Sequence, residues 1–174
     1  MPITTFETQR LKIRDWTAAL ADPARRSALE LALRSILSPA VLAPLPPPLQ
    51  LTEGPGDLAA WVDARAAESD VLSITEKATS QLVGLVILAQ IPNPADQTTV
   101  HIGYLFAEVA WGQGLASEML QGLVFATRAD APLKLLGGVD VSNPASARVL
   151  QKAGFHQDPG LSDEQTHMFA LDVL

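Results

Sequence analysis

Trp111-Gly112-Gln113-Gly114-Leu115-Ala116-Ser117 is the stretch whose reading decides how this chain folds. Two glycines one residue apart mark a tight loop. The apolar residues beyond it, Ala116, Met119, Leu120, Leu123 and Val124, recur at helical spacing. Upstream, Val100 to Leu105 reads as a strand, so the order is strand, short glycine loop, helix. Such a junction aims several backbone N–H groups and the positive end of a helix dipole at one spot, where a phosphate can sit.

Downstream, Leu133 to Val141 reads as a strand carrying Gly137 and Gly138. Asn143-Pro144 opens a helix bearing Val149, Leu150 and Ala153, closed by Gly154, and Met168 to Val173 is a terminal strand. Upstream of the glycine loop, Val71 to Thr75 and Leu82 to Leu88 form an antiparallel hairpin about Ala78-Thr79-Ser80. Pro92-Asn93-Pro94 starts the loop that follows. Leu11-Lys12-Ile13-Arg14 is a first strand, entered from a polar Glu7 to Arg10. Asp22-Pro23 starts a helix with Leu29, Leu33, Ile36 and Leu37 as its stripe. Pro39 to Gln50, with prolines at 44, 46, 47 and 48, is expected to be an extended surface connection. Asp57 is expected to cap a second helix with Leu58, Trp61, Val62 and Arg65 on one face. The order, roughly β-α-α-β-β-β-α-β-α-β-β, implies an α/β fold with a mixed sheet and helices on both faces.

The chain has 174 residues, 48% of them apolar, which is the size of one domain, here residues 1–174, with a sizeable core. Its net charge of −7 disfavours nucleic acid and anionic membranes and favours cationic partners. There is no cysteine, so disulfides and thiolate chemistry are excluded. His101, His156 and His167 show no metal-ligand spacing, so no metal is expected. Met1 to Arg10 lacks the apolar core of a signal peptide and no apolar run is long enough to span a bilayer, so a cytoplasmic location is expected.

Three readings compete for the glycine loop. A dinucleotide fingerprint wants G-x-G-x-x-G or Ala after the first strand of a βαβ unit, whereas here the sixth position is Ser117 and several strands precede it. A Walker loop fails, because no Gly-Lys-Ser/Thr occurs. A plain strand-to-helix turn is the third reading. The second motif shifts the weight: Asn143-Pro144-Ala145-Ser146, followed by Arg148-Val149-Leu150-Gln151-Lys152-Ala153-Gly154-Phe155.

Together with Ile102-Gly103-Tyr104 and the Trp111 to Ser117 loop, this motif resembles the GNAT superfamily of acyl-CoA-dependent N-acetyltransferases, and within it the RimJ/RimL-type branch. Thr8-Gln9-Arg10-Leu11-Lys12-Ile13-Arg14 is similar to that branch's first strand. The resemblance implies a single domain with a mostly antiparallel sheet, split between its central strands, and acetyl-CoA as acyl donor. The family's pyrophosphate loop falls on Trp111, Gly112, Gln113, Gly114, Leu115, Ala116 and Ser117, with Trp111 where a Gln or Arg is usual. Backbone amides do the cradling, so that departure matters little.

By the same resemblance, main-chain groups of Leu105, Phe106 and Ala107 face the split and hold the pantetheine arm. An amide there would polarise the thioester carbonyl. Asn143 caps its helix and contacts the pantetheine. Ser146 is the proton donor to the leaving thiolate, since the position one turn on, where many members have tyrosine, is Leu150. Lys152, and Arg148 beside it, are candidates for the coenzyme's phosphates.

The proton acceptor is the least defined element. Glu108 beside the cofactor loop is one candidate; Glu164 and His167 near the last strand are others. At pH 7 roughly a sixth of an α-amine (pKa near 7.7) is neutral, against well under about a thousandth of a lysine amine, so an α-amine demands less of a base. The expected activity is acetyl transfer to a primary amine, a protein N-terminus or a small molecule, and an acidic groove would favour a cationic one. A non-catalytic acyl-CoA-binding domain of the same fold is the alternative. The expected assembly is a monomer or homodimer.

Overall fold

A computed structural model describes residues 5–51, 54, 56–91 and 98–174. Its strands are β1 (Thr5–Glu7), β2 (Leu11–Asp15), β3 (Asp70–Glu76), β4 (Leu82–Ile91), β5 (Thr98–Phe106), β6 (Leu133–Asp140), β7 (His156–Gln157) and β8 (Thr166–Val173). The helices are α1 (Thr17–Leu20), α2 (Pro23–Ile36), α3 (Pro39–Leu42), α4 (Asp57–Glu68), α5 (Leu115–Thr127) and α6 (Pro144–Lys152). All eight strands join one sheet in the order β1-β2-β3-β4-β5-β6-β8-β7. Every neighbouring pair is antiparallel except β5 and β6, which run parallel.

Alternation along the strands sends side chains to two separate cores. Ile102, Tyr104 and Phe106 of β5 join Leu133, Leu135 and Val139 of β6 beneath Leu115, Met119, Leu120 and Leu123 of α5 and Leu150 of α6. Leu105, Leu85 and Ile87 face the other way, under Leu29, Leu33 and Ile36 of α2 and Leu58, Trp61 and Val62 of α4. Helices therefore cover both faces. The α2 start is as read: the Asp22 carboxylate accepts from Arg25 N–H at 2.9 Å, ahead of Pro23. Arg26 ties α2 to α4 through Asp63 at 2.9 Å.

Four sequence expectations need correction. The Pro39–Gln50 connection is not simply extended: Pro39 begins the one-turn α3, and Pro47–Leu49 forms a 3₁₀ turn. Proline forbids a helix interior but suits a first turn, whose N–H groups have no intrahelical partner, and Ser38 caps α3. Gly56, with φ +88°, is the N-cap of α4, and Asp57 sits inside the first turn. A short β1 precedes the first expected strand, pairing Phe6 with Ile13. The last strand begins at Thr166, two residues before the expected Met168. The loop beginning at Pro92-Asn93-Pro94 lies outside the described residues.

Candidate active site

The parallel ladder between β5 and β6 runs from Thr98↔Leu133 to His101↔Leu136 and stops there. Beyond it β5 continues to Phe106 along β4, and β6 continues to Asp140 along β8. The sheet thus parts in its middle, as expected. Gly137 shows what presses on β6 just past the parting: a Cβ there would lie 3.0 Å from Leu150 Cδ2, so α6 sits directly on the strand.

Which backbone groups face the gap follows from ladder parity. The Ala107 N–H donates to the Val83 carbonyl at 2.9 Å, toward β4. Two residues back, Leu105 pairs with Leu85 and points its main chain the same way. The expectation for Leu105 and Ala107 is therefore corrected: their main-chain groups belong to the β4 ladder. Tyr104 and Phe106 face the gap instead. The Phe106 carbonyl accepts the Trp111 indole N–H at 2.9 Å, which leaves the Phe106 N–H turned toward the opening. Trp111 thereby staples the end of β5 to the glycine loop.

Past Trp111, Gly112 and Gly114 have φ of +71° and +76°, in the left-handed region where a side chain is strained. Gly114 is the N-cap of α5 and no side chain caps that end. The first helical bond runs from Glu118 N–H to the Gly114 carbonyl at 3.0 Å, so Leu115, Ala116 and Ser117 present N–H groups without intrahelical partners. The loop is held from outside by Arg10 at the start of β2, whose Nη1 donates to the Gln113 carbonyl at 2.9 Å. Arg10 Nε also meets Glu118 Oε2 at 2.6 Å, and the Arg10 N–H and Thr8 hydroxyl donate to Oε1 at 2.7 and 2.6 Å. Burial pushes the Glu118 carboxyl up, but these bonds and the Arg10 charge outweigh it and hold it below the usual range.

Across the gap, Asn143 caps α6 by accepting from the Ser146 N–H at 3.2 Å. The Ser146 hydroxyl in that first turn lies 2.7 Å from the Tyr104 phenol, and the phenol also lies 3.3 Å from the Ser146 carbonyl. Burial, partly offset by the Ser146 bond, pushes the Tyr104 phenol up to about 12. Tyr104 stands in the Ile102-Gly103-Tyr104 motif with no role visible from sequence, because nothing in the chain order shows that β5 meets α6.

The other candidates disperse. Glu108 is exposed and accepts a hydrogen bond from Ser38, which fastens the turn after β5 to the cap of α3. Glu164 is exposed in the turn before β8. His167 pairs with Val139 and shares the α6 side of the sheet. The Lys152 carbonyl accepts from Gln121 Nε2 at 3.5 Å, which brings the end of α6 against α5.

His101, one of the three histidines without metal-ligand spacing in the sequence, is the residue at which the ladder ends. It is half-buried, its imidazole has no hydrogen-bond partner among the described residues, and burial holds its pKa below the ordinary value. Its Nε2 would stand 3.8 Å from a Cβ on exposed Gly138, with Met168 and Thr166 alongside, so the ring reaches from β5 over β6. Two residues on, the same face of β5 carries Gly103, whose Cβ would meet Leu49 of the proline-rich segment at 3.8 Å. Among the described residues no cluster of acidic and imidazole groups is arranged to hold a metal.

A mostly antiparallel sheet parted at its one parallel junction, with an uncapped glycine-loop helix at the parting, defines an acetyltransferase fold. The family model for the acetyltransferase (GNAT) domain matches residues 10–156, and the chain belongs to that family. Among solved structures it is similar to a GNAT-family acetyltransferase from Bacillus anthracis (18% identity, 97% of this chain and 98% of that one, TM-score 0.69). It is also similar to an Agrobacterium tumefaciens acetyltransferase (20% identity, 98% and 95%, TM-score 0.65). RimL, the ribosomal L7/L12 alpha-N-protein acetyltransferase in complex with coenzyme A, superposes with TM-score 0.71 at 17% identity over 97% and 98% of the chains. The Bacillus subtilis protein YkkB is 35% identical over 86 residues, a match spanning 47% of each chain, about half the length of that relative.

Proposed function

We propose that the protein is an acetyl-CoA-dependent N-acetyltransferase whose acceptor is a primary amine of low pKa, an α-amine ahead of a lysine side chain. The observation that carries this reading is the coincidence of two features: unpartnered amides at Leu115, Ala116 and Ser117, and the parted edge of β5 beyond His101. The residues present suit the coenzyme. Left-handed glycines and an uncapped helix start offer a diphosphate site. The Phe106 N–H, turned into the gap, supplies a donor for a carbonyl oxygen.

Acetyl-CoA would supply an activated thioester. The amine nitrogen bonds to the carbonyl carbon as the carbon–sulfur bond breaks. Tyr104 and His101 lie on opposite faces of β5, so the gap has a hydroxyl pair on one side and an imidazole on the other. Ser146 donates to the departing sulfur, and His101, neutral at pH 7, takes the proton from the amine through intervening water. The charged residues that share the His101 face of β6 and β8 by alternation are Lys134, Asp140 and Asp172. Asp140, held below the usual range by hydrogen bonds from the Ser142 side chain and N–H, is a fixed negative charge at that end. A lowered imidazole matches an α-ammonium far better than a lysine ammonium, whose pKa is about 10.4.

The test is thiol release from acetyl-CoA with two peptides, one bearing a free N-terminus and no lysine, the other an acetylated N-terminus and one lysine. Faster release with the first is expected. Equal release with both overturns the α-amine preference. Coenzyme A binding without release for any amine supports a binding domain instead.

A further inference from the structure

We infer that Tyr104 is a positioning residue for Ser146, holding the serine oxygen so that its proton is turned into the gap; this rests on the reading of Ser146 as the group that meets the departing sulfur. The two hydroxyls lie 2.7 Å apart across the parted sheet, one on β5 and the other in the first turn of α6. A bond between hydroxyls uses one proton, so one oxygen accepts and keeps its own proton for a third partner. The Ser146 backbone favours Tyr104 as the donor. In a regular helix the Ser146 carbonyl is addressed by the Leu150 N–H, which leaves Oγ as the nearer and freer acceptor for the phenol. The Ser146 N–H is already committed to Asn143.

A phenol pushed up to about 12 keeps its proton at neutral pH, so it stays a donor throughout turnover. As the carbon–sulfur bond breaks, the sulfur takes the Ser146 proton, charge grows on Oγ, and the phenol supports it. Water then gives a proton to Oγ, and the proton that His101 took from the amine restores the water. No residue is oxidised or reduced. Tyr104 touches no reacting atom in this scheme; it acts through the serine. Its other backbone contacts, at the gap edge of β5, would survive loss of the hydroxyl.

Tyr104 is the sole tyrosine in the chain, which makes the test unusually direct. The first arm is a double-mutant cycle, with thiol release from acetyl-CoA and the free-N-terminus peptide as readout. Ser146→Ala is expected to lower kcat about 100-fold and Tyr104→Phe about tenfold, with KM for acetyl-CoA within about twofold. The double variant is expected to match Ser146→Ala alone. A double variant that loses the product of the single effects, about 1,000-fold, overturns the inference, because independent sites add in free energy.

The second arm needs neither an acceptor nor Tyr104→Phe. Biosynthetic replacement by 3-fluorotyrosine labels position 104 alone, and its fluorine resonance is recorded in the unsubstituted chain and in Ser146→Ala. The resonance is expected to move on loss of the serine hydroxyl, and on addition of coenzyme A only where the hydroxyl is present. A resonance indifferent to Ser146 overturns the inference. Should the unsubstituted chain release no thiol with any amine, the transferase reading fails, and the fluorine arm still decides the Tyr104–Ser146 coupling.

Discussion

Arg10 and Gln113 are joined by a 2.9 Å hydrogen bond from the guanidinium to a main-chain carbonyl, across 103 positions of sequence. The bond ties the start of β2 to the middle of the glycine loop, and the same guanidinium meets Glu118 in the first turn of α5. The loop's amides are therefore aimed by a residue near the other end of the chain.

Arg10→Ala is expected to weaken coenzyme A binding about tenfold, by freeing the loop to sample other conformations before binding. Arg10 is partly exposed, so the loss in folding stability is expected to stay near about 1 kcal/mol. Calorimetry with coenzyme A and urea denaturation measure the two effects separately. Unchanged affinity would mean that the loop holds its shape without the clamp.

Gly114→Val is expected to remove measurable coenzyme A binding while the chain still folds. Space is not the obstacle, since a Cβ at Gly114 meets only Arg10 Nη2 at 3.7 Å. The obstacle is φ of +76°, which a β-branched residue adopts at a strain of about 1–3 kcal/mol. Relief of that strain turns the Leu115 to Ser117 amides away. A variant that binds as tightly as the unsubstituted chain would show that those amides do not hold the ligand.

Glu118 gives the protein a dependence on acid. Its folded-state pKa lies below the ordinary carboxylate value, so its contribution is fully present above that ordinary value and is lost as pH falls through the depressed one. Glu118→Ala should lose about 2 kcal/mol near neutral pH through the three abandoned donors. It should also flatten the decline in stability below about pH 4. Denaturation curves at several pH values check both. A decline as steep in the variant would place the acid sensitivity elsewhere.

His101 shifts in the same direction as Glu118, so it too loses stability on acidification, and it adds a catalytic consequence. Burial depresses its pKa, so the folded state prefers the neutral ring; stability is whole above the ordinary value near about 6.5 and falls as pH drops through it. The rate should fall on the acid side with a midpoint below about 6.5, as the proton acceptor becomes charged. His101→Gln should lower kcat about 100-fold, and added imidazole should restore part of it. An acid limb that persists in His101→Gln, at the same midpoint, would assign the titration to another group.

The parts of the site legible in the chain were those written in local order. Gly112 and Gly114 ahead of an apolar period of 3.6, and Asn143-Pro144 ahead of another, fix two helix starts without any tertiary information. Parity is a different matter. Whether Leu105 or Phe106 turns its amide into the gap depends on one bond, from Ala107 to Val83, whose partner is 24 positions earlier. No periodicity in β5 carries that choice.

Tyr104 and His101 were obscured for a related reason. Each is one residue in a strand of alternating pattern, and its role depends on where the β5–β6 ladder stops and which helix lies over it. The proline-rich segment shows a local rule applied too broadly: Pro39 and Pro47 excluded helix interiors, yet each starts a short helical turn. Trp111 reads as an oddity in the loop until its indole is seen on the Phe106 carbonyl.

Titration calorimetry of the folded chain with coenzyme A tests the central claim most directly, with Gly114→Val run beside it. Saturable one-site binding is expected in the first and none in the second, with both chains giving cooperative unfolding. Absence of heat from the intact protein, or equal heat from both, would contradict the assignment of the Gly112–Ser117 amides as the coenzyme's seat.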